Sequence, residues 1–200
     1  MRILVACEFS GRVRDAFIAK GNDAISCDLL PSEKPGPHIQ CDLKEAVINC
    51  GPFDLLIAHP PCTYLANSGV RWLYGGKGSV RDEKRWQLMR EAAALFNWLL
   101  TVDVPRVVIE NPIMHRHAGI RRPDQIIHPW MFGHGETKAT CLWLKGLPPL
   151  VPTLIVNGRE QVCWKQPPGP DRWKNRSRTY PGIASAMAEQ YSFSCDNNAI

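Results

Sequence analysis

The sequence predicts an α/β fold, one domain over residues 1–200 built on a doubly wound, mostly parallel sheet. Three observations carry this. Arg2–Cys7, Leu55–Ala58 and Arg106–Ile109 are apolar runs without polar alternation, as strands covered on both faces require. Stretches of helical spacing separate them, giving the β-loop-α alternation of a parallel sheet. Finally, 200 residues with 44% hydrophobic and 22% charged content suffice for a sizeable soluble core.

In chain order, the first run breaks at Glu8-Phe9-Ser10-Gly11. A helix follows with Val13, Ala16 and Phe17 on one face and Gly21 just past its end. Ala24–Cys27 reads as a second strand ending at Asp28, and the proline-rich 31–37 as a surface loop. His38–Cys41 is a short strand ending at Asp42, Leu43–Ile48 a helix, and Leu55–Ala58 the fourth strand. Four glycines make 66–79 a flexible loop. Trp86, Met89, Ala93, Phe96 and Leu100 then set a helix from about Val80 to Leu100. Arg106–Ile109 is the fifth strand, ending at Glu110-Asn111-Pro112, so residues 1–122 form the core of the domain. From 123 to 180 prolines punctuate short extended pieces, including Ala139–Leu144 and Leu154–Val156; these read as an antiparallel edge and an excursion from the sheet. Residues 181–200 are a final helix, near Ile183–Tyr191, and a tail.

The net charge is +5, a moderate excess that suits an anionic partner. Residues 71–90 hold six Arg/Lys against two acids, 159–178 again six against two, and Arg116, Arg121 and Arg122 make a third cluster. A solvated face is the plain alternative for each. Eight dispersed cysteines without a C-x-x-C pair argue against a zinc site or disulfide framework and for reduced thiols in a cytoplasm. His115 and His117 have no partner at zinc-site spacing, so no metal is assigned. With no signal peptide and no apolar stretch of about 18 residues, neither export nor a membrane is expected.

The densest information lies in His59-Pro60-Pro61-Cys62. Two prolines fix φ twice and supply no N–H donors, so the strand stops in a stiff turn that delivers one cysteine. The carboxyl ends of parallel strands are where open α/β sheets place their chemistry. Glu8, Asp28 and Asp42 end the first three strands, and Gly11 permits close backbone approach in the first turn; an acid after the second strand commonly accepts from ribose hydroxyls.

These motifs, in this order, resemble the C5-cytosine DNA methyltransferases. That family has a Pro-Cys nucleophile after the fourth strand and a Glu-Asn dipeptide after the fifth, behind an S-adenosylmethionine half-site. Phe9-Ser10-Gly11 is similar to its cofactor loop, Asp28 and Asp42 to its ribose- and adenine-binding acids, Pro61-Cys62 to its nucleophile motif, and Glu110-Asn111 to its Glu-Asn motif. Pro181-Gly182-Ile183-Ala184 is similar to the motif that closes the cofactor pocket. His59–Leu65, Thr140–Pro148 and Arg178–Ala184 look like compact phage-type members.

The resemblance implies a sheet of the S-adenosylmethionine-dependent methyltransferase type and transfer of a methyl group to cytosine C5 in DNA. Cys62, Glu110 and Asn111 would be catalytic. Glu8, Phe9, Ser10, Gly11, Asp28, Asp42, Pro60, Gly182 and Ile183 would hold the cofactor. The chain departs from larger members in its single-glycine cofactor loop, in His59 where they have a small residue, and in having only residues 146–180 where they carry a recognition domain.

In this chemistry the Cys62 thiolate adds to C6, making C5 nucleophilic, while Glu110 holds or protonates N3. A cation near Cys62 would favour the thiolate; Arg71, Arg176 and Arg178 are candidates. Arg71, Lys77, Arg81, Lys174, Arg176 and Arg178 would grip the nucleic acid, whereas Lys138, Lys145 and Lys165 are either solvated or phosphate-facing. Plainer roles stay open: Glu110 as a helix cap, Asn111 as a turn residue, strand-end aspartates as caps, Trp72, Trp86 and Trp98 as packing. So do the same chemistry on single strands or free nucleotides, and an inactive module that binds nucleic acid.

Overall fold

The computed structural model describes residues 1–75 and 80–192. Its strands are β1 (Arg2–Ala6), β2 (Asp23–Asp28), β3 (His38–Gln40), β4 (Leu55–Ala58), β5 (Tyr74–Gly75), β6 (Val80–Arg81), β7 (Arg106–Asn111), β8 (Gln125–Ile127) and β9 (Thr140–Lys145). Its α-helices are α1 (Arg12–Ala19), α2 (Leu43–Cys50), α3 (Glu83–Thr101), α4 (Val162–Lys165), α5 (Arg172–Ser177) and α6 (Pro181–Tyr191). Seven strands form one sheet in the order β3-β2-β1-β4-β7-β9-β8. The first five run parallel; β9 is antiparallel to both β7 and β8. The expected doubly wound, mostly parallel sheet is the one observed.

Burial on both faces explains the apolar runs. Ile3 and Val5 of β1, with Leu55 and Ile57 of β4, pack with Val13 and Phe17 of α1 and Ile183 and Met187 of α6. Leu4, Ala6, Leu56 and Ala58 pack on the other face with Ala46 of α2 and Met89, Ala93, Phe96 and Leu99 of α3. Adjacent strand residues point to opposite faces, so no position could be polar without burying an unpaired group. Phe96 meets Trp143 of β9 edge-on at 4.9 Å between ring centroids, fastening α3 to the antiparallel edge.

Several elements differ from expectation. The loop 66–79 begins with a 3-10 helix, Asn67–Leu73, and β5 then pairs with β6. Val80 therefore belongs to a strand, and α3 starts at Glu83, where Asp82 accepts the Arg85 amide N–H. A side-chain cap outranks apolar periodicity in setting the first turn. Leu154–Val156 forms no strand; Leu154 makes a single bridge to Phe132. The proline-rich excursion contains the short helices α4 and α5. Glu110 and Asn111 lie inside β7 rather than past it, because β9 continues the ladder alongside them. Among the described residues no helix is long and apolar enough to cross a membrane.

One buried cation organises the loop beside the carboxyl ends of β1 and β2. Arg14 of α1 is fully buried; its guanidinium meets Asp15 at 2.8 Å and donates to the Pro35 carbonyl at 3.0 Å, Ser32 Oγ at 3.2 Å and Ser26 Oγ at 3.3 Å. Residues 31–37 are thereby tied to α1 and β2. Removing the donors strands several buried acceptors at once, a large cost per substitution. Arg14→Met, which keeps the apolar stem, is expected to lower stability in urea unfolding by about 2–4 kcal/mol, against under about 0.5 kcal/mol for Arg90→Met on an exposed face.

Candidate active site

The strand order reverses at β1 and β4: β2 and β3 extend to one side, β7, β9 and β8 to the other. A crevice at the carboxyl ends of the strands on either side of such a reversal is where ligands bind in open sheets. The residues expected to do chemistry lie along that edge, in two groups.

The first group follows β4 and ends β7. The β4–β7 ladder closes with Ala58 opposite Ile109, so His59 and Glu110 are the next cross-strand neighbours. His59 Nδ1 lies 3.0 Å from Glu110 Oε2, with 9% and 12% of the two side chains exposed. Asn111, 1% exposed, donates Nδ2–H to the Pro60 carbonyl at 2.7 Å. The chain then turns back at once, the Cys62 carbonyl accepting from the amides of Leu65 and Ala66. Thr63 and Tyr64 are braced by Arg85 of α3, which donates to the Thr63 carbonyl and lies over the Tyr64 ring. The sequence motifs Pro61-Cys62 and Glu110-Asn111 are thus brought together at adjacent strand ends.

Electrostatics here run through Glu110. Burial alone would push its carboxyl up, but the hydrogen bond and field of His59, with Lys138, leave it below the usual range. Burial would push His59 down; Glu110 and Glu8 outweigh burial and an opposing Lys138, so the imidazole binds its proton more firmly than usual. Burial and the negative field of Glu110 push the Cys62 thiol up, against a pull from a backbone hydrogen bond, Lys138 and Arg176. The resting residue is therefore a thiol. Among the candidate activating cations, Arg176 bears on Cys62, while Arg178 is committed to a double hydrogen bond with Glu33 at 2.6 and 2.9 Å. Lys138, left undecided in the sequence, is the second cation at this centre and is held by the Arg176 carbonyl at 2.9 Å. Its only signal was its place just before β9.

The second group is the expected cofactor half-site. Cys7 takes a left-handed φ of 56°, turning the chain sharply after β1. Glu8 is buried under α1: Oε1 accepts from the Val13 amide at 2.7 Å and from Ser10 Oγ at 3.1 Å, and Oε2 from the Arg14 amide at 3.2 Å. It caps a helix whose N-cap position is Gly11, with φ 67° and no side chain. A Cβ on Gly11 would run into the Arg14 guanidinium. Asp28 accepts from the Leu30 amide and Asp42 caps α2 by accepting from the Lys44 amide, each through Oδ1. The second oxygen of each makes no hydrogen bond among the described residues and could accept one from a hydroxyl or amino group, as a ribose and an adenine would offer.

Phe9 and Ser10 are buried. Phe9 lies against Trp173, ring centroids 5.8 Å apart, and its carbonyl accepts from the Glu33 amide. Pro60 is buried at the turn. Gly182 is there for packing: a Cβ would overlap the Phe132 carbonyl oxygen, and its amide donates to His134 Nε2 at 2.9 Å. Ile183, 2% exposed, packs in the core of the α1–α6 face, pointed inward by the first turn of α6.

The basic residues divide. Arg71 and Arg81 stack on Trp72 and Trp86 at 4.5 and 4.1 Å, and Arg81 also pairs with Glu83 at 3.4 Å. Lys174 sits near the Trp173 ring and Arg176 is half-buried. Lys77 and Cys195 lie outside the described residues. No group of three side chains among the described residues is arranged to hold a metal ion.

No family model matches the chain, and no curated protein sequence does. Among solved structures it is similar to a prophage-encoded E. coli protein described as a DNA modification methyltransferase, at 15% identity and a TM-score of 0.48, over 84% of this chain and 55% of that one. The chain thus spans about half the length of that structure. The chain's own sheet is seven-stranded, mostly parallel and flanked by helices.

The His59–Glu110 pair makes stability depend on pH with a definite sign. His59, raised in the folded chain, contributes fully below its unfolded value of 6.5 and loses that contribution as pH rises through the folded value. Glu110, lowered, contributes above its unfolded value of 4.5 and loses that contribution as pH falls through the folded value. The pair's contribution is therefore greatest between 4.5 and 6.5. Denaturant unfolding of the protein and of a His59→Leu/Glu110→Leu double variant across this range should show the wild type gaining most on the variant inside the window.

Proposed function

We propose that this protein transfers a methyl group from S-adenosylmethionine to C5 of cytosine in DNA, through a covalent adduct on Cys62. The observation that carries the reading is the tie between the nucleophile turn and β7: Asn111 holds the Pro60 carbonyl at 2.7 Å beside the buried His59–Glu110 pair. A thiol on a rigid turn, next to an acid on the adjoining strand, is what addition across a pyrimidine C5–C6 bond needs.

Cytosine C5 is too poor a nucleophile to be alkylated directly. Cys62, once its proton has gone to water, adds to C6 and moves electron density towards C5 and N3. Glu110 meets the charge at N3, and Asn111 keeps the nucleophile turn in place against β7. S-adenosylmethionine supplies the electrophilic methyl group; Asp28, Asp42 and the Phe9–Gly11 turn would hold its adenosine part. Loss of the C5 proton then expels Cys62. Lys138 and Arg176 offset part of the field that keeps Cys62 a thiol.

Nucleic acid is the substrate favoured by the exposed Arg71–Trp72 stack close after the nucleophile turn and by Lys174 and Arg176 on α5. With little chain to read base edges, sequence discrimination should be modest. A phosphate grip gives steep salt dependence, about −0.7 to −0.9 log units per log unit of salt for each phosphate contacted. A free-nucleotide enzyme would show a shallow one.

The test is labelled S-adenosylmethionine with duplex DNA, single strands and deoxycytidine phosphates at two salt concentrations, followed by identification of the modified base. Cys62→Ala should cut transfer by about three orders of magnitude or more while leaving cofactor affinity unchanged. Cys163→Ala should stay active, and DNA containing 5-fluorocytosine should trap the wild type covalently. An active enzyme that forms no such adduct, or full turnover by Cys62→Ala, removes the mechanism.

A further inference from the structure

We propose that His59 is a positioning residue of this reaction, storing on its imidazolium the proton that Glu110 delivers to cytosine N3 as Cys62 adds to C6. The inference rests on the cytosine reading above and goes beyond it, because it assigns the proton's source.

The geometry carries the assignment. The register of β4 on β7 places His59 and Glu110 side by side at the end of the ladder, and Nδ1 faces Oε2 at 3.0 Å. Both side chains are largely withdrawn from water, so no bulk proton has a short path to Glu110. His59 is positioned through its backbone, the amide donating to the Ala6 carbonyl, while Nε2 is buried without a hydrogen-bond partner. The polar contact of the ring is therefore the one to Glu110.

The charged groups around the pair support the same state. Glu8, from the turn after β1, favours the imidazolium, and Lys138, just before β9, opposes it. Cys62 and Cys141 feel the charge of Glu110, and Arg176 of α5 acts on Cys62. The balance leaves His59 proton-rich and Glu110 ionised.

Magnitudes show why a second group is needed. A lone glutamic acid of ordinary pKa, about 4.3, carries a proton in only roughly 0.2% of molecules at neutral pH. A His–Glu pair keeps one proton between its members until the imidazole titrates, so the donor is loaded at neutral pH.

The step balances as follows. Cys62 Sγ bonds to C6, the C5–C6 π pair becomes the C4–C5 double bond, and the former N3–C4 π pair moves to N3. Glu110, ionised at rest, takes the pair's one proton from His59 Nδ1 and passes it to N3, leaving neutral imidazole and carboxylate. When C5 accepts the methyl group the C4–C5 π pair forms the new bond, the bond from the methyl carbon to the sulfonium sulfur breaks, the N3 lone pair restores the N3–C4 double bond, and N3 returns its proton along the same path. The C5 proton leaves to water, the C5–C6 double bond reforms, and the Sγ–C6 bond breaks.

The test uses the full chain and two readouts. In the first, the rate of adduct formation with duplex DNA containing 5-fluorocytosine is followed against pH for wild type and His59→Gln, which keeps a donor for Glu110. The Cys62 limb is identified separately from the pH dependence of its alkylation. In His59→Gln the limb belonging to the pair should move acidward by at least about one pH unit, and the rate at neutral pH should fall at least about tenfold. In the second, nitrogen-15 NMR of the His59 ring should show a doubly protonated imidazole at pH 6.5 to 7, reverting to ordinary titration in Glu110→Gln.

A His59→Gln profile that is merely scaled down, or a neutral His59 ring in an active wild type, overturns the inference and leaves the cytosine reading standing. A charged ring in a wild type that forms no adduct with any cytosine substrate overturns both.

Discussion

The site depends on what two prolines take away. β4 is joined to β1 and β7 by backbone hydrogen bonds up to Ala58, and there the ladder to β7 stops. Pro60 and Pro61 have no N–H to continue it. Held in place without a partner, the Pro60 carbonyl would be buried unsatisfied. Side chains of β7 take over from its backbone: Asn111 satisfies the Pro60 carbonyl and Glu110 takes the His59 ring. A sheet edge has thus been closed by the side chains that the proposed function makes catalytic, and a change to either would move the turn that carries Cys62.

The same economy of groups governs the other half of the crevice. Gly11 has no side chain to cap α1, so Glu8 reaches forward from the end of β1 and satisfies two of its free amides. With no Cβ at Gly11, the Arg14 guanidinium fits beneath it and holds the 31–37 segment. Glu33 in that segment clips Arg178 just past α5, and Trp173 of α5 covers Phe9. The proline-rich excursion is therefore fastened across the strand ends rather than hanging from the sheet. Its second anchor is Glu136, which is buried and accepts from the Cys163 amide and the Tyr180 hydroxyl.

Charge and burial compete most closely at Cys62. Burial raises the Cys62 thiol, and the charge of Glu110 raises it further, so the thiolate is disfavoured; in the mechanism proposed above that same acid would serve the pyrimidine ring. The paired imidazole neutralises that charge locally, and Lys138 and Arg176 act directly on the sulfur's surroundings. The resting centre is consequently rich in protons and poor in thiolate.

Most of the fold was legible in the chain because strands buried on both faces have one composition. Ile3 to Ala6 and Leu55 to Ala58 allow no other placement, and the order of elements then dictates a parallel sheet. The site motifs were legible for a related reason: a Pro-Pro turn and strand-end acids are local features. What the sequence could not disclose depends on distant partners. The start of α3 turned on the Asp82 cap, β8 on its pairing with β9, and the strand character of Glu110 and Asn111 on the same neighbour. That Glu8 also caps α1 and that Ile183 also packs into the core between α1 and α6 depended on such partners too. The sequence by itself determined the sheet, the turn that presents Cys62 and the types of side chain at the strand ends. Only the tertiary structure decided which of them meet, since the register of β4 on β7 sets His59 against Glu110 and Asn111 against Pro60 across fifty-one residues of chain.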